Sequence, residues 1–122
     1  MSDTHDRGMR IRREVLGNAH VDRAESRRTD LTSDFHDLLT RYAWGEIWSR
    51  PGLDRRTRSC ITLAMLVALG RDDELALHLR GALNNGLTRD EIKEVLLQTA
   101  IYAGVPAANT AFRIAADVLD AP

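Results

Sequence analysis

The residues that could move a proton or hold an anion gather in the middle of the chain. His78 opens the stretch HLRGALNNG (78–86), with Glu74 four positions before it and Arg80 two after. An unperturbed imidazole titrates near neutral pH, so it can hold and give a proton there. Upstream, RPGLDRRTRS packs Arg50, Arg55, Arg56 and Arg58 into nine residues, close behind Trp44, Glu46 and Trp48. Guanidinium forks match carboxylate geometry, and the start of a helix offers unpaired N–H groups to an anion. As a group beside two tryptophans, these arginines read as a carboxylate-binding edge of a pocket, with Arg80 a further candidate. The bland alternative for each is a solvated charge at a helix end. His78 itself could be a catalytic acid, a stranded metal ligand or a polar residue on a helix surface.

Metal and thiol chemistry find little support. His5, His20, His36 and His78 are scattered, and no H-E-x-x-H or Glu-x-x-His pair joins them. Glu74 and His78 share a helix face, but two ligands on one helix do not make a metal site. Cys60 is the only cysteine and sits in an apolar run. That excludes an internal disulfide and any Cys-x-x-Cys motif, and it reads as an inert core thiol.

With 122 residues the chain suits one domain, large enough for a core without staples. A net charge of −1 gives no reason to expect a nucleic-acid partner. The charged start MSDTHDRGMRIRREV has no apolar signal core, and the apolar run 60–69 is too short to span a bilayer. A cytoplasmic protein with no membrane partner is expected.

The elements that must position these side chains are all helical. Residues 1–30 read as a charged arm, with a possible short helix in MRIRREVLG ending at Gly17 and a loop through NAHVDRAESRRTD. Residues 31–122 read as the folded domain. TSDFHDLLTRYAWGEIW spaces Phe35, Leu38, Leu39, Tyr42, Trp44 and Ile47 as one helix face, and Pro51–Gly52 breaks it. Asp54 can cap a helix to Gly70, whose later part is apolar on every side. Such a segment belongs in a domain centre or a subunit interface. A fourth helix runs from Asp72 to Asn85–Gly86. Thr88 and Glu91 make a T-x-x-E capping box for a fifth, ending at Gly104, and Pro106 fits the first turn of the last. No strand pattern occurs. The small residues Ala100, Ala103, Ala107, Ala108, Ala111, Ala115 and Ala116 would let helices approach closely. With the apolar 60–69 segment, they favour an oligomer over a tight monomer.

The segments YAWGEIWSRPGLDRRTRS (42–59), ITLAMLVALGR (61–71) and HLRGALNNGLTRDEIKEVLLQTAIYAGVPAANTAF (78–112) resemble the γ-carboxymuconolactone decarboxylase family. The likeness covers most of the chain from about residue 30, in several separate motifs in the right order. It implies the alkylhydroperoxidase D-like fold, all-α with about six helices. It also implies homo-oligomers, trimers or hexamers. The implied reaction is that of a carboxy-lyase in the protocatechuate branch of the β-ketoadipate pathway of aromatic catabolism. A carboxylated unsaturated lactone loses CO2 and becomes 3-oxoadipate enol-lactone. Redox relatives in that superfamily carry a Cys-x-x-Cys pair, a following His and a preceding Glu. Here the Cys places fall on Arg71 and Glu74, the Glu place on Ser59, and the His is kept as His78. A thiol peroxidase is therefore not expected.

The implied reaction needs no cofactor, because the conjugated lactone carbonyl takes up the electron pair left by CO2. It needs cations for the two carboxylates, a donor for the developing ring oxyanion and an acid for the ring carbon beside the carbonyl. On this reading His78 is the proton donor and Glu46 or Glu74 orients it. Arg55 and Arg58 bind the dicarboxylate lactone, with Arg56 or Arg80 as alternatives, and Trp44 and Trp48 wall the pocket against water. Each has a plainer role open. Glu46 can pair with an arginine at the bend, Glu74 can be a first-turn acid placed for the helix dipole, and the tryptophans can be core. Asn84 and Asn85 can simply end a helix, while Tyr102 and Asn109 could reach the site from neighbouring helices. Two other functions stay open: an enzyme acting on another small carboxylated lactone, and a non-catalytic binding or scaffold module.

Overall fold

Ser2 starts the first helix by accepting the His5 backbone N–H at 3.2 Å, the first of the side-chain caps that set where helices begin. The computed structural model describes residues 2–120. Among them lie seven α-helices and one π-helical stretch, with no strand. The chain folds as two compact units, divided between Asp54 and Arg55.

The first unit holds α1 (Asp3–Leu16), α2 (Asn18–Ser26), α3 (Ser33–Leu39) and a π-helix (Thr40–Trp48) that continues α3. α1 stops at Gly17, whose φ of 89° suits only glycine well. NAHVDRAES, expected as a loop, is helical; its single buried residue, Val21, fixes one face, so packing replaces a periodic apolar pattern. At the α-to-π switch, Thr40 Oγ1 donates to the His36 carbonyl at 2.8 Å, a back-bond that bends helices. The wider π turn leaves the Gly45 carbonyl to accept from Arg7 Nε at 3.1 Å and Ser49 Oγ at 2.6 Å. α1 crosses the π-helix at two glycines. A Cβ on Gly8 would lie 2.1 Å from the Thr40 carbonyl oxygen, and one on Gly45 would lie 2.4 Å from that of Thr4.

An ion-pair network ties α1, α2 and α3 together. Arg28 reaches Glu25 at 3.0 Å and Asp37 at 2.8 Å. Glu25 also meets the buried Arg12 at 3.2 Å, and Asp37 lies 3.4 Å from the buried His5. The Arg28 hydrogen bond, and its charge, hold the Asp37 carboxyl below the usual aspartate value. Burial alone would raise Glu25, but Arg28 and Arg12 outweigh it and Glu25 is lowered too. Groups depressed in the fold stabilise it above their ordinary pKa, and that contribution is lost as pH falls through the folded value. Asp37→Asn should therefore lower the urea midpoint at neutral pH and flatten its fall below about pH 3.8, the ordinary aspartate value. Equal acid slopes for variant and parent would show that the network contributes nothing.

The second unit is four helices: α4 (Arg55–Leu69), α5 (Asp72–Asn84), α6 (Arg89–Tyr102) and α7 (Val105–Leu119). α4 packs on α5 and α6, and α7 closes the ring against both. The short link through Gly70, φ 70°, makes α4 and α5 an antiparallel hairpin. The capping box of α6 is complete: Thr88 Oγ1 accepts the Glu91 N–H at 3.1 Å, and Glu91 accepts the Thr88 N–H at 2.9 Å. Gly86 and Gly104 end α5 and α6 with positive φ, and Pro106 lies in the first turn of α7. Leu63, Val67, Leu75, Leu79, Ile92 and Leu96 form the core, with Ala111 and Ala115 of α7 letting the helices close up.

Two apolar segments are only partly buried within the single chain. The 60–69 segment does not lie in a domain centre: Leu63 and Val67 are buried, but Ile61, Met65 and Leu69 face outward. α3 and the π-helix bury Trp44, while Phe35, Leu38, Tyr42 and Ile47 are exposed. A π register is not the period on which that face was drawn, so the apolar residues do not converge.

Candidate active site

Across the seam between the two helices, a side-chain hydrogen bond ties α4 to the end of α5. Asn85 Nδ2 donates to Ser59 Oγ at 2.9 Å, and Ser59 is buried. This bond identifies the face that each helix turns to the other. Residues seven apart on a helix differ by only about 20° in direction, so His78 lies nearly in line with Asn85 on the side toward α4. Glu74 shares that stripe one turn earlier. On α4, Arg55 stands one turn before Ser59 on the same stripe, and Arg58 flanks it. His78, Arg55 and Arg58 are all half-buried, and Glu74 is exposed. Because the hairpin is antiparallel, the arginines lie at the Asn85 end of the seam and Glu74 at the other, with His78 between.

Four sequence candidates lie elsewhere. Arg56 donates to the Gly86 carbonyl and to the Glu91 carboxylate. It clamps the α5–α6 turn onto α4. Glu91 is held below its usual pKa by the Thr88 backbone N–H and by Arg56, so the clamp is ionic at neutral pH. Arg80 sits two residues after His78, about 200° around the helix, and reaches the Ala76 carbonyl only at 3.5 Å. It points away from the seam. Tyr102 faces a groove of about 500 Å3 between α4 and α6, shared with Cys60, Ile61, Met65, Ala68 and Val95. Asn109 is exposed on α7. A groove of about 380 Å3 between α6 and α7 is likewise lined by none of the seam residues.

Trp44, Glu46 and Trp48 belong to the first unit. Trp44 is 4% exposed and stacks on Trp48, ring centroids 5.1 Å apart and planes 28° from parallel. Glu46 is exposed on the same π-helix. The tryptophans thus have the plainer role, as packing, within their own unit.

Sequence reasoning does not single out Ser59 or Asn85 as a pair. The seven-residue spacing from His78 to Asn85 is the signal that could have found the second. Nothing in the sequence shows that Ser59 faces it.

The arrangement can hold an anion at one end of a seam and deliver a proton at its middle. The chain is similar to known decarboxylases. A 4-carboxymuconolactone decarboxylase of Acinetobacter baylyi is 51% identical over 114 residues, covering 93% of this chain and 85% of that protein. A nitrosuccinic acid decarboxylase of Metarhizium robertsii is 45% identical over 101 residues, covering 83% and 71%. A 4-carboxymuconolactone decarboxylase of Pseudomonas putida is 45% identical over 42 residues, 34% of this chain and 88% of that sequence. The carboxymuconolactone decarboxylase family model matches residues 33–117, and the chain belongs to that family.

Proposed function

We propose that this protein is a carboxy-lyase that converts γ-carboxymuconolactone to 3-oxoadipate enol-lactone and CO2, without a cofactor. The observation that carries the reading is the 51% identity, across nearly the whole chain, to a 4-carboxymuconolactone decarboxylase. The seam supplies groups suited to the reaction. Arg58 and Arg55 bind the carboxylates through charge-assisted hydrogen bonds. As the C–C bond to the leaving carboxylate breaks, its electron pair passes through the ring double bond to the lactone carbonyl. His78 then protonates the ring carbon beside that carbonyl, and Glu74, one turn back, orients the imidazole. Arg56 serves as a structural clamp in this scheme. The decarboxylase domain is taken as 31–122, which the family match supports, with 1–30 as an added arm. The outward residues Ile61, Met65 and Leu69 suit a homo-oligomer contact. No helix among the described residues is long and apolar enough to cross a membrane, and a cytoplasmic location fits.

One observation favours a second substrate. Nitrosuccinic acid also has two carboxyl groups and an electron-accepting group, and its decarboxylase is 45% identical to this chain. The test is CO2 release from freshly generated γ-carboxymuconolactone and, separately, from nitrosuccinate. Rapid release from the lactone alone supports the proposal. Release only from nitrosuccinate moves the chain to the second reading, and release from neither rejects both.

A further inference from the structure

We infer that Asn85, held by Ser59, reads the carboxylate that the substrate keeps, and so makes the enzyme selective for a dicarboxylate. The inference rests on the proposed decarboxylation. Asn85, the C-cap of α5, stands seven residues beyond His78 and nearly in line with it, which separates them by about 10 Å along the helix axis. The lactone needs a similar span. The retained acetate carboxylate lies four bonds from the ring carbon that takes the proton, roughly 5 Å. A contact of about 3 Å at each end brings the two protein groups to about 10 Å apart.

The chemistry of Asn85 fits that position. A carboxamide has two N–H donors, and the bond to Ser59 Oγ at 2.9 Å uses one. Ser59 is 2% exposed, so its hydroxyl is a fixed post. Gly86, the next residue, is clamped through its carbonyl by Arg56, which fixes the backbone at this end of the seam. The amide is therefore held in place with one N–H left to offer. Its setting also suits an anion. The carboxyl end of α5 would repel one through its dipole, but Arg55 and Arg58 in the first turn of α4 oppose that with their charge. Asn85 supplies direction where the arginines supply charge. A neutral donor can tell a carboxylate, which accepts, from an ammonium or amide N–H, which does not.

The experiment compares wild type with Asn85→Ala, Asn85→Asp and Ser59→Ala on γ-carboxymuconolactone and on its acetate-arm methyl ester. Asn85→Asp preserves shape and can still accept from the Ser59 hydroxyl, so the hairpin stays pinned. It sets a negative charge against the retained carboxylate. KM for the diacid should rise about tenfold or more in Asn85→Asp, with kcat changing much less. The rise should be smaller in Asn85→Ala and smallest in Ser59→Ala, and the methyl ester should erase most of the difference between Asn85→Asp and wild type. A variant with unchanged KM overturns the inference. So does a loss equal on acid and ester that tracks a lowered Tm, which would make Asn85 only a pin between helices. Wild type silent on the lactone would reject the decarboxylase reading itself, a result distinct from an active enzyme indifferent to Asn85.

Discussion

His78→Ala is expected to cut CO2 release from γ-carboxymuconolactone at least about a hundredfold while the protein stays folded. The size follows from the proton transfer proposed for the imidazole. Loss of CO2 leaves charge on the lactone oxygen and ring carbons, and the intermediate returns to starting material unless it is protonated. A positioned acid contributes on the order of 10²–10⁴ in rate. Stability should change little, because the core of the second unit is built from Leu63, Leu75, Leu79 and their neighbours, with His78 at its edge. The loss should fall on kcat more than on KM, since the variant leaves untouched the arginines proposed to bind the carboxylates. His78→Gln keeps most of the shape and a hydrogen-bond donor but cannot give up its proton usefully. It should therefore fall with the alanine variant. A glutamine variant near the parental rate would mean that the imidazole only orients the lactone, and the acid would have to be sought elsewhere.

The second unit was largely legible because local chemistry marked its boundaries. A capping box, three glycines at positive φ and a proline in the first turn of α7 each fix a helix end through backbone geometry, whatever packs above. The first unit was not legible in this way. α2 has one buried residue and is held by its neighbours, so no apolar period announces it. The π-helix hides its register, because periodic reasoning assumes bonds four residues apart, and here they run five apart.

The site shows the same divide. Arg55, Arg56 and Arg58 are alike in sequence, yet each residue turns the helix by about 100°. One of the three faces Gly86 and Glu91, 30 and 35 residues ahead, and becomes a clamp. His78 and Arg80 are separated by twice that rotation. Residue type reveals which chemistry is available, while the partner across the seam decides which copy can use it. The Ser59–Asn85 bond shows this from the other side, since neither residue type draws notice until the two helices meet.

Gly8→Ala should lower stability by at least about 1–3 kcal/mol, against the direction that helix propensity predicts. In an unobstructed helix interior, alanine improves on glycine by about 1 kcal/mol. Gly8 lies inside α1, so propensity alone makes the variant more stable. The added methyl, however, would stand 2.1 Å from the Thr40 carbonyl oxygen and 2.9 Å from the Gly45 nitrogen. Both are backbone atoms that no rotamer change can move. α1 and the π-helix must separate or tilt, and with them go the Arg7 bond to Gly45 and the burial of Trp44. The only two tryptophans of the chain, Trp44 and Trp48, lie on this π-helix. Their fluorescence therefore follows the first unit, while helical circular dichroism follows both. The fluorescence midpoint in urea should fall in Gly8→Ala. Gly45→Ala should do the same for the same reason, its methyl meeting Thr4. A raised midpoint in either variant would mean that propensity wins, and that the two helices do not cross at these glycines as closely as their geometry requires.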